Sequence, residues 1–220
     1  KYADVLIWGL EAARKSVGGK YKKGDIIYIS YELDSLKLAE VLYRKLLEKG
    51  MNVVVRMGAT SKMQFDFYDV ANKDQLSFLA PWSKDLYKNL NGLISLIAPS
   101  SLTHLSGIDS KKMALVAISA KPLKEIAHKR EETGDFGWTL CMMPTEELAK
   151  KAKMSKENYA KEIIKACYLD KKDPGKIWEN LRKKADAVKK SLNGLDVDYF
   201  HIKSQNTDLK VTPGEKRKWL

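Results

Sequence analysis

Cysteine is nearly absent: Cys141 and Cys167 are the two in 220 residues. They lie far apart and form no CxxC pair, which excludes a disulfide framework and leaves two reduced core thiols as the expectation. Histidine is as scarce, with only His104, His128 and His201. No HxxxH, HExxH or HxH occurs, and scattered imidazoles build no metal centre without carboxylates at ligand spacing. His128 stands beside Lys129 and Arg130 and is expected in solvent; His201 reads as a core-edge or interface residue. The first predicted strand ends in Ser30-Tyr31-Glu32 with no glycine, and GxxxxGK[ST] is missing, which argues against both common phosphate loops. No GxSxG nucleophile elbow is present. No apolar run approaches the ~20 residues that span a bilayer, and Lys1-Tyr2-Ala3-Asp4 runs directly into an amphipathic segment with no small-residue cleavage site. A cytoplasmic protein without a membrane partner is the expectation.

Positive charge is plentiful, but arginine is not its main source. The formal net charge is +12. From Lys150 onward the chain holds 19 Lys and Arg against 10 Asp and Glu, leaving 21 against 18 for the first 149 residues. The lysines alternate with acidic residues along helical faces, whereas nucleic-acid surfaces interleave arginine with aromatics. A nucleic-acid partner is therefore not expected, and a basic nucleic-acid-associated domain using the lysine-rich C-terminal third is the alternative with less support.

The apolar pattern that remains describes an α/β protein. Apolar spacing over Tyr2–Ser16 predicts a helix closed by Gly18-Gly19. Ile26–Ile29 and Asn52–Arg56 read as strands buried on both faces, with the helix Leu33–Lys49 between them, the pattern of a parallel crossover. The stripe of that helix is expected at Leu36, Ala39, Glu40, Tyr43, Leu46 and Leu47. Leu93–Ala98 and Trp138–Met142 give two further strands. Met63–Ala71 is too crowded with aromatics for a clean period. Short helices are expected over 74–79 and 81–90, and a helix over 110–129 interrupted at Lys121-Pro122. Three helices follow Pro144, over 146–153, 156–169 and 174–192, making the C-terminal third helix-rich. Two strands, Tyr199–Ile202 and Thr207–Val211, form a closing pair within 198–212. The expected fold is a mostly parallel sheet of about four to six strands with helices on both faces, a Rossmann-like three-layer arrangement in one domain over 1–220. Trp138 and Trp178 are expected in the core, as are Leu209 and Val211.

Two stretches carry candidate chemistry. Pro144-Thr145-Glu146-Glu147 places adjacent carboxylates after a strand, which could hold a divalent metal. The stronger reading makes Thr145 the N-cap of the next helix and the two glutamates partners of its positive end. Residues at the carboxyl ends of the parallel strands, namely Ser30, Tyr31, Glu32, Arg56, Pro99 and Ser100, would form the site of a non-catalytic ligand- or partner-binding domain.

The order of segments resembles the amino-terminal part of the thermophilic-type metallo-aminopeptidases, the aminopeptidase T / aminopeptidase S group. The resemblance rests on the opening helix Ala3–Leu10, on Lys23-Gly24-Asp25 before the first strand, and on Glu48-Lys49-Gly50 before Val53-Val54-Val55. It continues through Gly137-Trp138-Thr139, Pro144, Ala149, Met154-Ser155, Asp170, Asp173-Pro174, Trp178, Thr207-Asp208-Leu209 and Trp219. It implies a cytosolic, homodimeric exopeptidase that removes amino-terminal residues from peptides with two divalent metals of the zinc, cobalt or manganese class. It further implies that the Glu, His and Asp ligands follow the Thr-Asp-Leu strand, the first after an Asn-x-Pro-x-x-Glu stretch. Pro144–Glu147 is like that stretch but precedes the three helices, so the ligand role is not carried onto Glu146 or Glu147. The chain is then expected to be the N-terminal domain of a longer two-domain enzyme, inactive alone, with Thr207, Asp208 and Trp219 at the junction to the missing catalytic domain.

Overall fold

The computed structural model describes residues 1–214 and 219. The chain divides into two compact units, Lys1–Pro174 and Gly175–Leu220.

The first unit is built on a four-stranded, all-parallel sheet. Its strands are β1 (Ile26–Tyr31), β2 (Asn52–Met57), β3 (Gly92–Ile97) and β4 (Gly137–Met142), in the order β2-β1-β3-β4. Aligned residues such as Ile27, Val53, Gly92 and Gly137 share one face, because parallel pairing keeps side-chain parity across the sheet. Helices α1 (Tyr2–Lys15) and α2 (Leu36–Glu48) cover that face. Leu6, Ile7 and Leu10 of α1 and Ala39, Leu42 and Leu46 of α2 pack with Ile27, Ile29, Ile94 and Leu96 into the core. The stripe of α2 thus falls on Leu42 rather than Tyr43, and Tyr43 and Leu47 are exposed.

Five helices lie in the crossovers after β2 and β3: α3 (Ser61–Val70), α4 (Lys73–Ser77) and α5 (Ser83–Asn89) between β2 and β3, and α6 (Ser110–Ser119) and α7 (Lys121–Glu132) between β3 and β4. α4 packs on α6 and α5 on α7. The crowded stretch from Met63 is helical because Thr60 caps it, accepting a hydrogen bond from the Met63 amide at 3.3 Å. Arg130 of α7 donates to the Tyr87 carbonyl of α5 at 3.1 Å, and Glu131 accepts the Trp138 indole N–H at 2.9 Å. These contacts bring α5 and α7 to the second face of the sheet. That face is only half-covered. The expectation of a strand buried on both faces is corrected for β2, where Val54 and Val55 are exposed; β2 and β4 are the two edges, and Leu140 and Met142 of β4 are exposed as well. Trp138 is 46% exposed and lies outside the core, its polar N–H satisfied by a surface carboxylate.

An ion pair that periodicity could not reveal closes the amino end of the sheet. Arg14, at the end of α1, is buried and meets the buried Asp25 at 2.9 Å. Its Nε donates to the Gly134 carbonyl at 2.7 Å, and its guanidinium stacks 4.3 Å above the Tyr21 ring. Asp25 also accepts from the Lys22 amide. Gly19 and Gly134 touch here through backbone alone; a Cβ on Gly19 would collide with the Gly134 carbonyl oxygen.

Helices α8 (Glu146–Lys151) and α9 (Lys156–Ala166) complete the unit and pack on each other. Thr145 and Ser155 cap them through the Leu148 and Asn158 amides.

The second unit contains most of α10 (Pro174–Asn193) and an antiparallel hairpin of β5 (Phe200–Ser204) and β6 (Thr207–Val211). Trp178 is half-buried. Phe200, Ile202, Leu209 and Val211 share one face of the hairpin. Leu209 and Val211 are exposed, against the expectation that they point into a core, because a two-stranded ribbon has no second layer of its own to bury them. Of the closing pair Trp219-Leu220, Leu220 lies outside the described residues.

Candidate functional site

Loops that leave the carboxyl ends of β1, β2 and β3 converge on one cavity of about 130 Å³. The strand order explains its position. β1 lies between β2 and β3: the chain passes from β1 outward to β2 and then returns past β1 to β3, so the direction of winding reverses there and a crevice opens at the carboxyl ends of β1 and β3. The loops are stitched together by the backbone. The Glu32 amide donates to Leu96 O at 3.2 Å and the Gly58 amide to Tyr31 O at 2.7 Å. The Glu32 carboxylate accepts from the Ala98 amide at 2.5 Å, tying the end of β1 to the end of β3.

The walls mix apolar groups, Leu33, Ala59, Ala98 and Pro99, with polar ones. Glu32 and Asp34 contribute carboxylates, while Thr60, Ser61, Ser100 and Ser101 contribute hydroxyls. Ser61 Oγ and Ser100 Oγ are 2.9 Å apart. The first turn of α3 opens here, with its amides directed away from the helix body. The Gln64 amide nitrogen donates to Ala59 O at 2.8 Å, which leaves Gln64 Oε1 to accept from His104 Nε2 at 3.1 Å. The proton of a neutral His104 therefore sits on Nε2. His104 Nδ1 is buried with no hydrogen-bond partner.

Of the residues expected to bind a ligand, Glu32, Pro99 and Ser100 line the cavity, whereas Ser30, Tyr31 and Arg56 do not. Ser30 and Arg56 point to the half-covered face of the sheet, and Tyr31 to the face that holds the core. Asp34, Thr60, Ser61, Gln64, Ser101 and His104 were not foreseen. For Thr60, Ser61 and Gln64 the signal was the loop Gly58-Ala59-Thr60-Ser61, which reads as a turn and N-cap directly after a strand; Asp34, Ser101 and His104 had none. Ser61 meets another hydroxyl rather than a base, so no nucleophile–base pair is formed here.

Glu146 and Glu147 behave as first-turn carboxylates of α8. Glu147 accepts from the Leu102 amide at 3.3 Å, and Glu146 faces Lys156 at 3.8 Å. Among the described residues no group of three His, Cys, Asp or Glu side chains could hold a metal ion. A second, wider groove of about 500 Å³ lies at the amino end of the sheet, with Lys15, Lys20, Lys22, Lys23 and Lys49 around it. Lys15 and Lys49 stand at the carboxyl ends of α1 and α2, where cations offset the helix dipoles.

Cys141 and Cys167 are unbridged, and the Tyr2 hydroxyl lies 3.8 Å from the Cys167 sulfur. Burial pushes the Tyr2 phenol well above its ordinary range, with the two thiols adding to the effect. The Cys141 thiol is likewise pushed up by burial, to about 11.

The residues expected at a junction lie in the second unit. Asp208 Oδ1 pairs across the hairpin with His201 Nε2 at 2.6 Å, and Lys203 approaches at 3.7 Å. Trp219 exchanges two hydrogen bonds with the Asn193 side chain, at 2.8 and 2.9 Å, and its ring meets Phe200 edge-on at 6.1 Å. Thr207 faces Ser204 in the register and is exposed.

A family model described as thermophilic metalloprotease (M29) matches residues 1–220. No curated protein matches. Among solved structures, wild-type AmpT from Thermus thermophilus is similar, with a TM-score of 0.66 and 16% identity. The alignment covers 93% of this chain and 53% of that chain, so this chain spans about half the length of the structure it matches. At that identity the likeness is one of fold.

Proposed function

The chain belongs to the thermophilic metalloprotease (M29) family, and from that premise we propose that it is the amino-terminal, non-catalytic part of a metal-dependent aminopeptidase. The observation that carries the reading is the coverage: nearly all of this chain aligns with about half of AmpT. The residues present also fail to fit the metals that the family description implies, since no three candidate ligands converge among the described residues. Glu146 and Glu147 are engaged by the Lys156 ammonium and the Leu102 amide instead. No step of peptide hydrolysis is therefore assigned to this chain.

The metal ligands would stand in a segment that follows β6, and the hairpin would be the approach to it. The apolar face of Phe200, Ile202, Leu209 and Val211 supports this, because such a face is stabilised only when another layer covers it. In the same reading the parent enzyme is a cytoplasmic homodimer that takes peptides as substrates and holds two divalent ions. No helix among the described residues is long and apolar enough to cross a membrane.

The test is hydrolysis of aminoacyl p-nitroanilides with Zn²⁺, Co²⁺ or Mn²⁺ supplied in turn. The 220-residue chain should show none, and a chain extended along its reading frame should show metal-dependent release. Metal-dependent release by the 220-residue chain, lost in Glu146→Ala or Glu147→Ala, would overturn the assignment.

A further inference from the structure

We propose that the free edge of β2 and the flank of α2 beside it bind a second copy of this chain about a two-fold axis, joining the two parallel sheets into one. The homodimer of the peptidase reading specifies no surface. The contact proposed here lies within the first unit and needs neither a metal nor a further segment of chain.

The edge of β2 is open. Among the described residues β2 pairs with β1 and with no other strand. The Asn52 amide donates to Asp25 O at 2.9 Å and the Gly58 amide to Tyr31 O at 2.7 Å, both on the β1 side. Backbone groups alternate in direction along a strand. Asn52, Val54 and Arg56 therefore turn theirs to β1, and Val53, Val55 and Met57 turn theirs outward. Val54, Val55, Arg56 and Met57 are exposed. The strand holds no proline and no lysine, the residues that commonly blunt such an edge. Its outward amides and carbonyls are a template for another strand.

α2 supplies the second half of the surface. Lys45 and Lys49 reach Asp4 and Glu11 of α1 at 2.9 Å each, so that flank of α2 faces α1. Leu36, Tyr43 and Leu47 follow one another at seven- and four-residue spacing and lie on the opposite flank, where all three are exposed. The core uses Leu42 and Leu46 instead. Because α2 rests on β1 and β2, its outer flank stands over the open edge. The helix thus carries two apolar stripes, and the outer one is continuous with β2.

Three features select a second copy as the occupant. The first is spacing. If β2 pairs with β2, the two α2 axes stand two strand spacings apart, about 10 Å, which is the distance at which helices pack. The second is register. An antiparallel pairing centred on Val54 sets Val53 opposite Val55, both with outward backbone groups, and Arg56 opposite Asn52 rather than opposite a like charge. The third is charge. The exposed Lys37, Glu40, Arg44 and Glu48 alternate in sign along the outer side of α2. Reversed by a two-fold axis, that order is its own complement: Lys37 meets Glu48 and Glu40 meets Arg44 of the other copy.

The experiment is sedimentation equilibrium of the intact 220-residue chain, with far-UV circular dichroism of each variant as the check on folding. A dimer at about 10 μM chain is expected. Leu47→Asp and Val55→Pro should each weaken it at least about tenfold, the first by placing a charge in the stripe and the second by removing an outward amide. Arg44→Glu should also weaken it about tenfold, and adding Glu40→Arg to that variant should restore affinity to within about threefold. The Arg44 side chain is 84% exposed, so this charge exchange reads out association even if Val55→Pro fails to fold. A monomer at every concentration up to about 200 μM would overturn the proposal. So would a dimer indifferent to Leu47→Asp, or a double variant no tighter than Arg44→Glu alone. The measurement involves no metal and no turnover, so its failure is separable from failure of the aminopeptidase assignment.

Discussion

The parallel sheet and the hairpin carry the same kind of apolar alternation and reach opposite ends. Ile29, in β1, is 0% exposed, while Ile202, in β5, is 50% exposed. Both sit on a face shared with other apolar residues. The difference lies above that face: α1 and α2 lie over β1 and β3, and no second sheet or helix within the hairpin itself covers Ile202 and Leu209. Alternation therefore selects a strand, and the layer packed on it decides whether the strand adds stability. The parallel sheet is a finished core on one face. The hairpin has an apolar face that no layer of its own covers, the feature on which the proposed function draws.

The sharpest way to break the comparison is to attack what locks the first unit. Asp25→Ala leaves the Arg14 guanidinium buried without its carboxylate. A loss of about 3–5 kcal/mol is expected, measured by chemical denaturation of the first unit's transition. A loss under about 1 kcal/mol would mean that Arg14 is held by Gly134 and Tyr21 alone.

The isoleucines test the contrast directly. Ile29→Ala should cost about 2–5 kcal/mol through a cavity in the core, whereas Ile202→Ala should change stability by less than about 0.5 kcal/mol in this chain. In an extended chain that covers the hairpin, Ile202→Ala should become costly. Equal losses for both substitutions in the 220-residue chain would show that the hairpin is already packed.

Trp138→Ala sharpens the comparison at the sheet's own edge. As an exposed residue bonded to Glu131 it should cost about 1 kcal/mol, below the ~3–5 kcal/mol of a core tryptophan. Thermal midpoints of Trp138→Ala and Trp138→Phe separate the hydrogen bond from ring burial.

Thiol reactivity gives a smaller signal. Burial raises the Cys141 thiol from 9.0 to about 11 in the folded state. Below pH 9 both folded and unfolded thiols are protonated, and the stability linked to this group is intact. It declines as pH rises from 9 to 11, where the unfolded thiol ionises before the folded one. At pH 8 a disulfide reagent should react quickly with the half-buried Cys167 and reach Cys141 only on unfolding. Two fast thiols would place Cys141 in an accessible site. Smallest of all, Asp208→Ala removes a solvent-exposed pair with His201 and should move the midpoint by an amount equivalent to no more than about 1 kcal/mol. Reduced turnover from the same substitution in an extended, active chain would mark Asp208 as a junction residue.

Local chemistry was legible in the sequence because its causes are local. The apolar runs at Ile26, Asn52, Leu93 and Trp138 gave all four strands of the sheet within a residue or two of their observed ends. Thr145 and Ser155 were readable as caps because a hydroxyl next to a helix start needs only the amide three residues on. The stretch from Met63 resisted reading because its aromatics face no single core, and α3 has no buried residue to set a period.

Sequence by itself determined the class of fold, the order of its elements and the family, since these follow from periodicity, breakers and the succession of short motifs along the chain. Tertiary structure alone decided which strands became edges, placing β2 and β4 there and exposing Trp138. It alone paired Arg14 with Asp25, and joined Glu32, Ser61, Ser100 and His104 around one cavity. The physical reason is that side chains tens of residues apart interact through space, and their distance is set by how the crossovers wind about β1 rather than by any spacing along the chain.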